Sequence, residues 1–157
     1  MAEEGNKVVD LNSAYRHKVD AKGRMSLPAS FRKVLSTDLV VTRNPKDECL
    51  YVFEPRGFNA WVADAFNAWV AGVFEDKFEK FDRTNDLHVR LRRKLKSRAA
   101  DVSIDAAGRI MISAEQREAV GIDKEVVVVG NTGYFEVWDA KRYDAVDDET
   151  DLGLLFD

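Results

Sequence analysis

The chain has 157 residues, 45% of them hydrophobic and 33% charged, with a formal net charge of −4. This is the composition of a soluble globular protein with a heavily charged surface, and no stretch approaches the roughly 18 apolar residues of a membrane span. A lone cysteine, Cys49, excludes an intramolecular disulfide and a cysteine-based zinc site, and the Met-Ala-Glu-Glu start lacks the basic and apolar runs of a secretory signal, so a protein kept inside the cell and off the membrane is expected.

In chain order, Tyr15 to Val19 reads as a short strand, Asp20-Ala-Lys-Gly as a tight turn and Arg24 to Leu27 as the returning strand. Gly23 is what such a turn needs, because glycine enters positive φ without a side-chain clash. Pro28 suits a first helical turn, and Phe31, Val34 and Leu35 follow at helical spacing, giving a short helix that ends near Ser36. Leu39 to Thr42 and Cys49 to Phe53 read as two strands around an Asn-Pro-Lys-Asp turn. Next comes an apolar stripe, Phe58, Trp61, Val62, Ala65, Phe66, Trp69, Val70, Val73 and Phe74, at steps of three and four. Such a stripe is read first as cover for the sheets, with a subunit interface as the alternative. A charged stretch from Glu75 to Asp86 leads to a basic helix from Leu87 to about Ala99.

The rest of the chain repeats the beginning. Asp20-Ala-Lys-Gly-Arg24 returns 85 residues later as Asp105-Ala-Ala-Gly-Arg109, and at the same offset Val19 matches Ile104, Arg32 matches Arg117 and Leu35 matches Val120. Val102 to Ile104, Arg109 to Ile112, a helix, Val126 to Val129 and Tyr134 to Trp138 then follow in the same order. Ser113 and Gln116 form a capping-box pattern for that helix, and Gly121 stands where its C-terminus is expected. Each copy is therefore strand, strand, helix, strand, strand, with open edges that favour pairing with another copy. The chain divides into a first repeat over 12–57, a helical connector over 58–99, a second repeat over 100–143 and an acidic tail over 144–157.

For catalysis the inventory is poor. His17 and His88 lie far apart, Ser26, Ser30 and Ser113 have no nucleophile-elbow context, and no glycine-rich phosphate loop appears, so neither an enzyme nor a cofactor or metal is expected. The charge pattern is more informative. Arg16, Lys18, Lys22 and Arg24 stand against one acid, Asp20, and from His88 to Arg98 there are six bases and no acid. The acids instead gather in the tail, which is read as solvated, disordered and pointing elsewhere. Phosphate responds to the local field within about 8 Å at physiological salt, so the basic turns matter more than the net charge. In Asp-x-x-Gly-Arg the aspartate can close the turn by accepting backbone N–H groups, leaving the arginine's guanidinium free to project. Arginine grips phosphate oxygens and, through two hydrogen bonds, guanine O6 and N7. The alternative is that Asp20 and Arg24 merely pair across their own turn. The second copy has Ala107 in place of Lys22, so the first turn should contact DNA more heavily.

Tyr15-Arg-His-Lys-Val-Asp-Ala-Lys-Gly-Arg-Met-Ser-Leu-Pro28 with Phe31 and Arg32, and Ile104-Asp-Ala-Ala-Gly-Arg-Ile-Met-Ile112 with Glu125 to Gly130 and Phe135 to Trp138, resemble the two halves of the MraZ family of bacterial transcriptional regulators. The resemblance runs from about Asn12 to Tyr143 and leaves the N-terminal eleven residues and the acidic tail outside it. It implies an α+β fold built as a tandem duplication of the swapped-hairpin unit shared with AbrB-type regulators. It also implies a ring-like homo-oligomer in the cytoplasm and nucleoid, bound to repeated boxes in double-stranded promoter DNA and repressing the division and cell-wall gene cluster. The DNA-binding residues it implies are Asp20, Arg24, Asp105 and Arg109, beside the basic Arg16, Lys18 and Lys22. The long aromatic helix, and Lys96 and Ser97 where an aromatic and a small apolar residue are usual, depart from the family pattern. A different class, a swapped-hairpin adaptor or antitoxin-like protein, would use the acidic-apolar segment Asp151-Leu-Gly-Leu-Leu-Phe-Asp157 to dock another protein.

Overall fold

The computed structural model describes residues 9–74 and 82–156, with side chains placed for all of these except 66–74. Along the chain run β1 (Ala14–Lys18), β2 (Arg24–Ser26), α1 (Ala29–Arg32), β3 (Asp38–Arg43), β4 (Leu50–Phe53), α2 (Pro55–Phe74) and α3 (Asp86–Ser97). There follow β5 (Ala100–Ser103), β6 (Arg109–Met111), α4 (Ala114–Ala119), β7 (Glu125–Gly130), β8 (Tyr134–Asp139), α5 (Ala140–Glu149) and a 3₁₀ turn, Leu152–Leu155. The result is a mixed α+β fold. Six strands form one antiparallel sheet in the order β1-β7-β8-β4-β3-β5, and β2 and β6 form a separate antiparallel ribbon.

The strand order reads alike from both ends once each strand is exchanged for its repeat partner. β1 lies on β7 of the other copy, from Ala14↔Val129 to Lys18↔Glu125, and β5 lies on β3, from Ala100↔Val41 to Ser103↔Asp38. The simple hairpin expected from Tyr15 to Leu27 is therefore corrected. Its two arms meet only beside the turn, at Val19↔Met25, and then part, one into the sheet and the other into the ribbon. Burial explains the divergence. A lone hairpin would leave both edges open, whereas exchange between copies buries Val126, Val127 and Val128 in the sheet and Met25, Leu27, Ile110 and Ile112 on the inner face of the ribbon. Val126, Val128 and the four ribbon residues, together with Phe31, Leu39, Leu50, Val52, Phe135 and Val137, make one core drawn from both copies.

A second cluster covers the opposite side of the sheet. Phe58 and Val62 of α2 are buried against Val40 and Phe53, and Trp61 stacks 5.3 Å from the Phe53 ring. That end of the apolar stripe faces the sheet, while Phe66, Trp69, Val70, Val73 and Phe74 lie outside the residues whose side chains are described. The charged stretch that follows lies outside the described residues over 75–81.

Two local expectations change. Ser113 does cap α4, accepting the Gln116 backbone N–H at 3.1 Å, but the Gln116 side chain does not return to it. Gln116 is buried, and its amide donates to the Val41 carbonyl at 2.9 Å, tying the helix of one copy to a strand of the other. The tail is not disordered throughout. Asp139 caps α5, and Asp151 caps the 3₁₀ turn by accepting the Gly153 N–H at 2.9 Å.

The ribbon also makes one glycine indispensable. At Gly23, where φ is +90°, a Cβ would stand 2.3 Å from the Ile112 carbonyl oxygen, which no small shift relieves. At Gly121 φ is +72° but a Cβ would meet nothing within 4 Å. Gly121→Ala should then lose only the left-handed strain of about 1–2 kcal/mol, and Gly23→Ala distinctly more. Thermal unfolding of both variants checks this, and equal losses would mean the ribbon is not packed on the turn.

Candidate nucleic-acid interface

Both Asp-x-x-Gly-Arg turns close in the same way. One oxygen of Asp20 accepts the Lys22 and Arg24 backbone N–H groups at 2.9 Å each, and one oxygen of Asp105 accepts those of Ala107 and Arg109 at 2.9 Å each. The second oxygen takes the arginine Nε, at 2.7 Å in the first turn and 3.0 Å in the second. The guanidinium is therefore not free to project as expected: Asp20 and Arg24 pair across their own turn, and Asp105 and Arg109 do the same. Each guanidinium is held by its Nε, while the two terminal Nη groups of Arg24 and of Arg109 have no hydrogen-bond partner among the described residues. A guanidinium fixed at one nitrogen and open at the other two is a pre-oriented fork for an anion or a base edge.

The ribbon brings the forks together. Arg24 pairs with Met111 and Arg109 with Ser26, on either side of Met25↔Ile110. Because Met25 and Ile110 face the core and side chains alternate along a strand, Arg24 and Arg109 share the outer face as diagonal neighbours, about 8 Å apart. Met111, half-exposed, lies between them on that face.

Each turn is also completed by the other copy. A Cβ on Gly108 would meet the Arg32 guanidinium at 2.4 Å, and one on Gly23 would meet an Arg117 Nη at 3.2 Å. Arg117 is steadied there by donating its Nε to the Ile112 carbonyl at 3.2 Å. In the sequence Arg32 and Arg117 stand out only as aligned positions. Nothing in their local pattern reveals that each crosses to the opposite turn.

Of the remaining basic residues, Lys18 and Lys22 are exposed on the first turn and its approach strand. Arg16 is not available in the same sense. Its guanidinium lies 2.6 Å from Asp144 of α5, so the acidic segment expected to point elsewhere reaches back onto β1. His17, next to it on β1, has its pKa lowered by burial.

The turn carboxylates carry a pH signature. Backbone N–H donation from Arg24, then the Arg24 side chain, draws the Asp20 pKa below its ordinary 3.8, and Arg109 does the same for Asp105. A lowered folded pKa means that the stabilising contribution is complete above the unfolded value and is lost as pH falls through the folded one. Carboxyl NMR titration should give midpoints below 3.8 for both, and Arg24→Ala should raise that of Asp20 while leaving Asp105 unchanged. Midpoints at 3.8 or above in the unaltered protein would mean the turns are open in solution.

Among the described residues no group of three His, Cys, Asp or Glu side chains could hold a metal ion, and no helix is long and apolar enough to cross a membrane. The site is thus a ribbon carrying two paired arginines on a small mixed α+β body. The family model described as "MraZ protein, putative antitoxin-like" matches residues 11–84 and 95–154, and the chain belongs to the MraZ family. A relative from Paraburkholderia phytofirmans is 37% identical over 131 residues, covering 81% of this chain and 80% of its own. One from Ligilactobacillus salivarius is 34% identical over 137 residues, covering 87% and 86%. One from Roseiflexus castenholzii is 36% identical over 132 residues, covering 84% and 82%. All three are named Transcriptional regulator MraZ, a non-enzymatic class that agrees with the lack of catalytic motifs in the sequence. The match through residue 154 also corrects the limit set at Tyr143, since it includes most of the acidic tail.

Proposed function

We propose that the protein is a sequence-specific regulator that binds double-stranded promoter DNA through the β2–β6 ribbon. In this role it acts in the cytoplasm and on the nucleoid, as a ring-like homo-oligomer on repeated boxes, and represses the division and cell-wall gene cluster. The observation that carries this is the pair of pre-oriented arginines, Arg24 and Arg109, on one exposed face. Arg24 and Arg109 read base edges or grip phosphates, Asp20 and Asp105 hold them in place, and Lys18 and Lys22 add phosphate contacts on the first turn. Arg16 joins them only where DNA competes successfully with Asp144. The tandem swapped-hairpin architecture is supported by the exchange of β1 and β5 between copies.

Lys22→Ala separates positioning from reading. It should weaken promoter and scrambled DNA about equally and lower the slope of log affinity against log salt by about 0.9 for each phosphate that is no longer neutralised. Titrating the purified protein against promoter DNA with repeated boxes and against scrambled DNA, at two salt concentrations, tests the function itself. Preference for the promoter supports it, and equal, weak binding to both would overturn it.

A further inference from the structure

The end of the chain carries apolar side chains without cover. Exposure runs from 69% at Leu152 to 84% at Phe156, with Leu154 and Leu155 between, on a turn shaped by the Asp151 cap. A contiguous exposed apolar group of this kind marks a contact site. Around it, from Asp144 to Asp157, are six acids and no base.

α3 offers the opposite chemistry. Leu87 and Leu91 are 51% and 37% exposed, Arg90 and Lys94 share their helical face at steps of three and four, and Arg90 to Arg98 hold six bases and no acid. An apolar strip framed by positive charge fits an apolar strip framed by negative charge.

Within one chain these surfaces do not cover each other, since Leu87 and the leucines and Phe156 of the tail all remain more than half exposed. α5 begins where β8 ends and has reached edge strand β1 by Asp144, so it advances toward that edge. α3 leads instead into β5, the strand at the far edge of the same sheet. Five strand spacings of about 4.8 Å separate the two edges, roughly 24 Å. We propose that the segment Asp151–Phe156 docks on the Leu87–Lys94 face of α3 in a second copy of this chain. Unlike surfaces then meet head to tail, the kind of contact that closes into rings. The docking rests on the homo-oligomer proposed above and supplies its interface.

Light scattering on the full chain tests this with two variants, Leu154→Asp/Leu155→Asp in the tail and Leu87→Asp/Leu91→Asp on α3. Each should fall to a smaller mass than the unaltered protein, with apparent dissociation constants raised about tenfold or more, while circular dichroism is unchanged because all four side chains are exposed. Mixed, they should form a one-to-one pair, since each keeps one intact surface. Should an apolar change disturb the fold, Asp147→Lys/Asp148→Lys and Arg90→Glu/Lys94→Glu test the contact through charge: each alone should lose mass, and the mixture should regain the unaltered mass because tail and α3 are again opposite in charge at every contact. A tail variant that keeps the unaltered mass overturns the docking and leaves the homo-oligomer standing, as does an α3 variant that loses DNA but not mass. A monomeric unaltered protein overturns both.

Discussion

Arg24→Ala should weaken binding to promoter DNA by about 1–3 kcal/mol for each base contact removed, and should relax sequence preference as it does so. Arg109→Ala should weaken it less. The difference rests on Lys18 and Lys22, which surround the first turn, whereas Ser103 and Ala107 occupy the matching positions of the second. Arg16 contributes less to this contrast than its sequence position suggests, because Asp144 already neutralises it at 2.6 Å. Neither variant should unfold, since an exposed ion pair contributes about 0–1 kcal/mol. Filter binding on oligomers of equal mass measures both losses. Undiminished affinity in a folded Arg24→Ala oligomer would remove the ribbon from DNA reading.

The larger effect should come from the number of boxes. In the proposed oligomer several tethered ribbons turn later contacts into intramolecular ones, so an array of promoter boxes should bind about 10²–10⁴-fold more tightly than one isolated box. The gain should collapse when the spacing between boxes is changed so that neighbouring ribbons cannot engage together. Equal affinity for one box and for an array would mean that each ribbon acts alone.

The turns were legible because their chemistry is local. An aspartate two and four residues before its N–H donors, with glycine at positive φ between, needs nothing from elsewhere. Strand partners were not legible in the same way. Alternation shows which face of β1 or β2 is buried, but Val126–Val129 offers as good an apolar edge as the returning strand, and only the shared core decides between them. Gln116 illustrates the same limit, for its capping pattern is satisfied by the backbone alone while its amide finds Val41, 75 residues away. Arg16 finds Asp144 across 128 residues, a pairing that local charge patterns do not reveal. In the tail, acidic composition suggested disorder and concealed that Asp151 acts as the cap of the 3₁₀ turn.

Ultraviolet cross-linking of the purified protein to an array of promoter boxes, with the attached peptides identified by mass spectrometry, tests the proposed DNA-reading ribbon most directly. Attachments should concentrate between Tyr15 and Leu27 and between Ile104 and Ile112, and should fall sharply when scrambled DNA replaces the promoter at the same salt. Attachments confined to α3 or to the C-terminal segment, with the ribbon untouched, would contradict it.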